Sequence, residues 1–361
     1  MTTNALITGW GMYAPSRVLS NDDLSRMVDT NDEWIVSRTG IRERRIASDG
    51  ETTTSLSVNA ARDALAVAGL DATELDLVIV GTCSPDYPLP ATAVVVATEL
   101  GARRAAGFDM QAACSGFVYA LATGTSFIRS GMYRSVLVIG VEVLSRFVNW
   151  KDRNTCVLFG DGAGAVVLQA SDQPGGLLGY DLFSDGTGVE GIIVPGGGSA
   201  CPASPQTYAD GKHFIHMAGR EVYKYATRQL AESSLTALRG AGMTVGEIDQ
   251  FIFHQANLRI IESVASHLAI PMEKAFINIE KYGNTSAASV PMALVEALAA
   301  GRIKPGDRLL MAAFGAGYTA AAAVVEWTAD PARAYLAPGE QTRLGRPQVA
   351  ASTFDTPVAV S

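Results

Sequence analysis

Along the chain, short uninterrupted apolar runs alternate with longer segments whose apolar residues recur every three or four positions. The first pattern suits strands covered on both faces, the second suits helices lying on them. The expected class is therefore α/β, with sheets covered by helices. "RSVLVIGVE" (from Arg134), "DRLLMAAFG" (from Asp307) and the stretch from Phe251 to Phe253 read as buried strands. "AAGFDMQAA" reads as a strand entering a helix, because Phe117, Leu121 and Ile128 then share one helical face. "FGDGAGAVVLQ" contains a GxGxG run, but the apolar residues behind it have strand character, which argues against a dinucleotide-binding loop.

The pattern also repeats. "DALAVAGLDATELDLVIVGTCS" from Asp63 and "TALRGAGMTVGEIDQFIFHQAN" from Thr236 share a helix end, an Ala-Gly turn, a Glu-x-Asp and an apolar strand, at an offset of 173 that also carries "VYAL" at Val118 onto "PMAL" at Pro291. An echo this long predicts two copies of one α/β unit, about 1–172 and 173–330. From 331 to 361 the periodicity is lost and proline and small polar residues take over, as in a flexible tail.

Composition narrows the class. A chain of 361 residues, 48% of them hydrophobic, can bury a large core. Its net charge of -8 speaks against nucleic acid as a general partner. Four cysteines without CxxC spacing suggest neither a disulfide framework nor a metal site, and point to a reducing compartment. His213 and His216 lack companion ligands, so no metal is expected. The start is not a secretory signal, and the longest apolar stretch is broken by glycines; the expectation is a soluble cytoplasmic protein without membrane contact.

Chemistry concentrates at three places where a strand or turn meets a helix start. Cys114 lies in "AACSGF", where the helix N-terminus favours an anion and could lower its pKa from near 8.5 to about 7.5. A buried inert cysteine is the alternative. His254 follows the strand in "FIFHQANLRI", and Asn284 sits in "KYGNTSAASVPMAL", where alone it reads as a helix cap. Cysteine, histidine and asparagine at strand and helix ends of both halves suggest one composite site.

With "GDGAGA", "GRIKPGD", "FGAGYT" and "DTNDEWIVSRTGIRERR", these motifs resemble the β-ketoacyl-acyl carrier protein synthase III enzymes of the thiolase superfamily over about residues 4–327. The resemblance implies a duplicated thiolase-like fold: two α/β halves with mixed sheets in αβαβα layers. It implies an acyltransferase of fatty acid synthesis that condenses an acyl-CoA primer with malonyl-acyl carrier protein. It makes Cys114 the acyl-accepting nucleophile, with His254 and Asn284 as partners. Decarboxylation leaves an enolate that needs hydrogen-bond donors rather than bases, and Asn284 and neutral His254 can donate. The N–H of Cys114 and one from Phe314, Gly315, Ala316 and Gly317 are candidates for the oxyanion hole.

By the same resemblance Trp34 and Arg153 sandwich the CoA adenine, Arg38 lies near the phosphates, and Asn257 contacts pantetheine. Arg220, Lys224 and Arg228 recur along one helix face opposite Val222, Ala226 and Leu230 and, with Arg259 added by the resemblance, would dock the acidic carrier protein. Arg220 replaces a common asparagine, and Ser266 and His267 stand where some relatives have a lysine pair. Leu89 is expected to project from the partner of a homodimer into the acyl pocket. No permanently bound cofactor is expected, acyl-CoA being a substrate. Alternatives are a secondary-metabolism acyltransferase or polyketide-type synthase with another acceptor, a Cys-His-Asn hydrolase, and an inert binding member of the fold.

Overall fold

The apolar runs become strands of two sheets in the computed structural model, which describes residues 3–332. The tail expected from 331 lies almost wholly outside the described residues. In chain order the strands are β1 (Asn4–Tyr13), β2 (Arg17–Ser20), β3 (Glu43–Ile46), β4 (Leu77–Gly81), β5 (Ala106–Met110), β6 (Ser135–Glu142) and β7 (Gly162–Ser171). They continue as β8 (Gly176–Phe183), β9 (Ile192–Ile193), β10 (His216–Met217), β11 (Gln250–Phe253), β12 (Arg308–Gly315) and β13 (Thr319–Glu326). The helices are α1 (Asn21–Ser25), α2 (Asp32–Thr39), α3 (Thr53–Ala68), α4 (Thr92–Leu100) and α5 (Gly116–Arg129). After them come α6 (Pro205–Ala209), α7 (Gly219–Ala241), α8 (Leu258–His267), α9 (Ile279–Tyr282) and α10 (Ser289–Ala299).

Besides the two-stranded pairs β2-β3 and β9-β10, one sheet has the order β1-β7-β6-β4-β5 and the other β11-β12-β13-β8. Both are mixed. β4 runs parallel to β5 and β6 as β11 does to β12, and β7 and β13 return antiparallel. Ser135 and Arg308, which open β6 and β12, are separated by the repeat offset of 173. In the second sheet the counterpart of β5 shrinks to one parallel bridge between Phe251 and Ala275.

Alternation along each strand builds the layers. Ile79 and Val138 of the first sheet and Ile252 and Met311 of the second pack on α5 and α10 through Phe117 and Leu294. Their strand neighbours Val78 and Leu137 turn outward to α3 and α4. Phe251 and Leu310 likewise turn to α7 and α8. The result is the expected αβαβα arrangement, and it explains why these strands read as continuous apolar runs: both faces are buried.

Close backbone approaches put helix starts at strand ends. A Cβ at Gly81 would stand 2.7 Å from the carbonyl carbon of Gly116, so only glycine lets α5 begin against the end of β4. A Cβ at Gly140 would stand 2.2 Å from the Ala287 oxygen, which lets the turn before α10 press on β6. The chain just before each central helix therefore opens onto one place.

Candidate active site

Cys114 lies in a 3₁₀ turn (Ala113–Ser115) immediately before α5, as the helical pattern led us to expect. His254 directly follows β11, and Asn284 precedes the 3₁₀ turn (Ser286–Ala288) that leads into α10. All three line one cavity of about 570 Å³, together with Phe314, Ala316 and Gly317. The turn between β12 and β13 is tied to the nucleophile's turn: Thr319 Oγ1 donates to the Ala112 oxygen (2.9 Å) and Ser115 Oγ to the Thr319 oxygen (3.2 Å). A Cβ at Gly315 would stand 2.6 Å from the Cys114 nitrogen, so that position is closed to any side chain. Ala113, Ser286 and Tyr318 hold positive φ values of 47°, 47° and 43° beside the cavity, a concentration of backbone strain at the site.

The amide of Asn284 is oriented by its own backbone. Its Oδ1 accepts from the Ser286 N–H at 2.9 Å, so the Nδ2 hydrogens are the end left for a ligand. This corrects the capping reading: α10 begins at Ser289, and the contact closes a local turn two residues on.

His254 is buried, and desolvation lowers its pKa from 6.5 to about 3, so the ring is neutral near pH 7. Nδ1 lies 2.5 Å from Ser289 Oγ, and that hydroxyl accepts the Gln255 N–H at 3.3 Å. The hydroxyl proton is then available to Nδ1, which leaves the ring's own hydrogen on Nε2. His254 is thus a neutral donor with its lone pair already engaged.

Cys114 departs from expectation. Burial at the foot of the cavity pushes its thiol up to about 12, helped by the nearby Glu142 charge and only partly offset by hydrogen bonds from Ser286 and its own backbone N–H. The expected fall to about 7.5 took in the helix terminus and left out the cost of an anion in an apolar enclosure. The resting residue is a thiol.

The remaining predicted residues divide. Trp34, Arg38 and Arg153 do come together, but both guanidinium carbons stand 4.5 Å from the Trp34 ring centroid, so Arg153 fills the slot expected for an adenine. Arg153 also donates to the Asp29 carbonyl at 2.7 Å. Asn257 lines the cavity and caps α8, its Oδ1 accepting from the Arg259 N–H and its Nδ2 donating to the Arg38 oxygen, with one donor and one acceptor position to spare. Arg220, Lys224, Arg228 and Arg259 are exposed on the adjoining α7 and α8, while Val222, Ala226 and Leu230 on the opposite face of α7 line the cavity. Arg228 also pairs with Glu232 at 3.6 Å. Leu89 does not touch this cavity; it is 83% exposed on the segment between β4 and α4.

Sequence reasoning passed over Glu142, Ser286 and Ser289. Ser286 and Ser289 lay inside a quoted motif without a role. Glu142 had a signal of its own: a carboxylate closing an eight-residue strand that is buried throughout.

Fold and site together define a condensing acyltransferase of the thiolase-like type. Residues 108–186 match the family described as 3-Oxoacyl-[acyl-carrier-protein (ACP)] synthase III, and residues 238–327 match its C-terminal family. A Beta-ketoacyl-[acyl-carrier-protein] synthase III from Roseiflexus sp. (strain RS-1) is 55% identical over 91% of this chain and all of the relative. The crystal structure of 3-oxoacyl-[acyl-carrier-protein] synthase III from Aquifex aeolicus VF5 superposes with a TM-score of 0.83 at 46% identity, covering 90% of this chain and 100% of that one. The priming β-ketosynthase of the R1128 polyketide pathway gives 0.84 at 38% identity over 91% and 98%. The chain belongs to the β-ketoacyl-[acyl-carrier-protein] synthase III family, whose reaction joins acyl-CoA to malonyl-acyl carrier protein at the start of fatty acid synthesis. No helix among the described residues is long and apolar enough to cross a membrane.

Proposed function

We propose that in this chain the condensation runs through Cys114 as acyl carrier, with His254 Nε2–H and Asn284 Nδ2–H as the donors that hold the enolate oxygen after malonyl decarboxylation. The meeting of these three side chains in one cavity, from both sheets, carries the reading. The oriented Asn284 amide and the neutral ring of His254 both suit donation to an anion and neither suits a base. The first oxyanion, formed as acyl-CoA is attacked, falls to the Cys114 N–H and an N–H from the segment Phe314, Gly315, Ala316 and Gly317, whose approach supports the pairing. CoA enters past Asn257 with its nucleotide at Trp34, Arg38 and Arg153, and adenine binding displaces Arg153 from the indole face.

The enzyme acts as a homodimer in which Leu89 of one copy reaches the acyl pocket of the other, its exposure supporting a partner-covered position. Leucine in place of a larger aromatic residue gives room for branched or medium-chain primers, each buried methylene contributing about 0.8 kcal/mol. Intact-mass analysis after incubation with a panel of acyl-CoAs is the test. Acyl mass on Cys114 from acetyl and longer donors is expected; uptake from acetyl-CoA alone would reject the wide pocket, and uptake from none would reject the nucleophile.

The carrier protein docks on Arg220, Lys224, Arg228 and Arg259. Arg220→Glu with Lys224→Glu is expected to raise the KM for malonyl-acyl carrier protein about tenfold or more, and added salt to weaken the wild-type reaction, while self-acylation from acyl-CoA stays near the wild-type rate. Equal loss of both half-reactions would show that the stripe supports the fold instead.

A further inference from the structure

The structure holds a second, unassigned polar cluster directly behind Cys114. Glu142 is wholly inaccessible to solvent at the end of β6, yet none of its hydrogen-bond partners is a cation. Its Oε2 accepts from Ser84 Oγ at 2.6 Å and Thr82 Oγ1 at 3.2 Å. Its Oε1 accepts from Ser286 Oγ at 3.0 Å and Cys83 Sγ at 3.2 Å, and the Cys83 N–H lies between the two oxygens at 3.2 and 3.1 Å. The Ser84 and Thr82 hydroxyls themselves accept backbone N–H groups, from Val143 and Ser84, so their protons are committed to the carboxylate. Donors on every side describe an ionised carboxylate held by neutral groups.

Such an anion in the core, with no counter-cation, is costly unless it serves something. Ser286 shows what it can serve. Its hydroxyl donates to Glu142 at 3.0 Å, and Ser286 and Cys114 line the same cavity from the turns before α10 and α5, so carboxylate, hydroxyl and thiol follow one another there. His254 is poorly placed for the same task, since its ring lone pair faces Ser289 and its proton affinity is low. Burial raises the proton affinity of Glu142 and so brings it closer to that of a thiol. The titratable groups that feel the Glu142 charge are Cys83, from the end of β4, and Cys114.

We propose that Glu142, acting through Ser286, holds the Cys114 proton while that residue carries the acyl group. As the sulfur attacks acyl-CoA, its proton passes to Ser286 Oγ and the Ser286 proton passes to Glu142. The sulfur lone pair forms the new S–C bond, the C–S bond to CoA breaks with its electrons to the CoA sulfur, and that thiolate takes a proton from solvent. In the second half-reaction the enolate carbon displaces Cys114 as a thiolate. Glu142 then returns the stored proton along the same path. The cycle consumes one solvent proton, which ends on CoA. Glu142 is a positioning and proton-holding residue in this scheme and never touches substrate.

The proposal rests on Cys114 as nucleophile, and rapid-quench intact mass of self-acylation between pH 6 and 9.5 tests the two separately. Wild-type enzyme is expected to acylate at a nearly level rate across this span. Glu142→Gln is expected to be slower by about 10²-fold at pH 7 and to gain close to tenfold per pH unit, as direct loss of the thiol proton to hydroxide takes over. Ser286→Ala, which keeps the backbone N–H that orients Asn284, is expected to reproduce that profile, and Glu142→Asp to restore the level one in part. In a Cys114→Ala background, Glu142→Gln is expected to leave malonyl thioester decarboxylation unchanged, which a collapsed site would not. Wild-type rates and pH profiles in both Glu142→Gln and Ser286→Ala overturn the relay alone, as does parallel loss of acylation and decarboxylation. Absence of acyl mass on wild-type Cys114 overturns the nucleophile and the relay together.

Discussion

Cys114→Ala enzyme is expected to take up no acyl group from acyl-CoA while still releasing carbon dioxide from a malonyl thioester. The two half-reactions place different demands on the cavity. Acyl transfer needs a sulfur that can form a bond, and removing it should lower overall condensation on the order of 10⁵- to 10⁶-fold, as with other covalent nucleophiles. Decarboxylation needs only donors near the enolate oxygen, and these come from other chain segments: Asn284 is held by the Ser286 N–H and His254 by Ser289, contacts that do not involve the Cys114 side chain. The measurement is radiolabel retained on protein from acyl-CoA beside labelled carbon dioxide from malonyl thioester. Acyl label on the Cys114→Ala protein would mean that another residue accepts the group. Cys83 is the thiol to examine first, since it lines the same cavity.

How much of this was legible in the sequence depended on whether the cause was local. The central strands β4, β6, β11 and β12 were readable because burial on two faces writes itself as a continuous apolar run, and the repeat because β6 and β12 keep their spacing from the starts of the helices before them. Cys114, His254 and Asn284 were singled out because each stands where a strand or turn opens into a helix, and the structure brings them to one cavity. Their protonation was harder. The thiol of Cys114 is raised by an enclosure whose walls come from distant segments, including Phe159 and Phe314, and no window around residue 114 contains them. Glu142 was hidden for a related reason: its donors come from residues 82–84 and from Ser286, brought together only when both halves fold. At Trp34 the structure brings the three named residues together in another arrangement than expected, since a partly exposed indole attracts both guanidinium groups, that of Arg153 being held there by Asp29 as well.

His254→Ala and Asn284→Ala are expected to behave as the converse of Cys114→Ala: each takes up an acyl group, more slowly than wild type, and each loses malonyl decarboxylation by about 10²- to 10³-fold, or roughly 3 to 4 kcal/mol of transition-state stabilisation. The asymmetry follows from the direction of their hydrogen bonds. Asn284 presents hydrogens because its oxygen is occupied, and His254 presents Nε2–H because Nδ1 is occupied, so both are built to meet negative charge. A pH test accompanies the substitutions. Desolvation lowers the His254 pKa to about 3, so from pH 5 upward the ring stays neutral and its Nε2–H donates without change. Carbon dioxide release by Cys114→Ala enzyme is therefore expected to stay level from pH 5 to pH 8 as far as His254 is concerned. A fall centred near pH 6.5 would instead mean a solvated imidazole acting as a base. Wild-type decarboxylation by Asn284→Ala would remove the amide from the enolate site and leave its contact with Ser286 as a turn-forming bond.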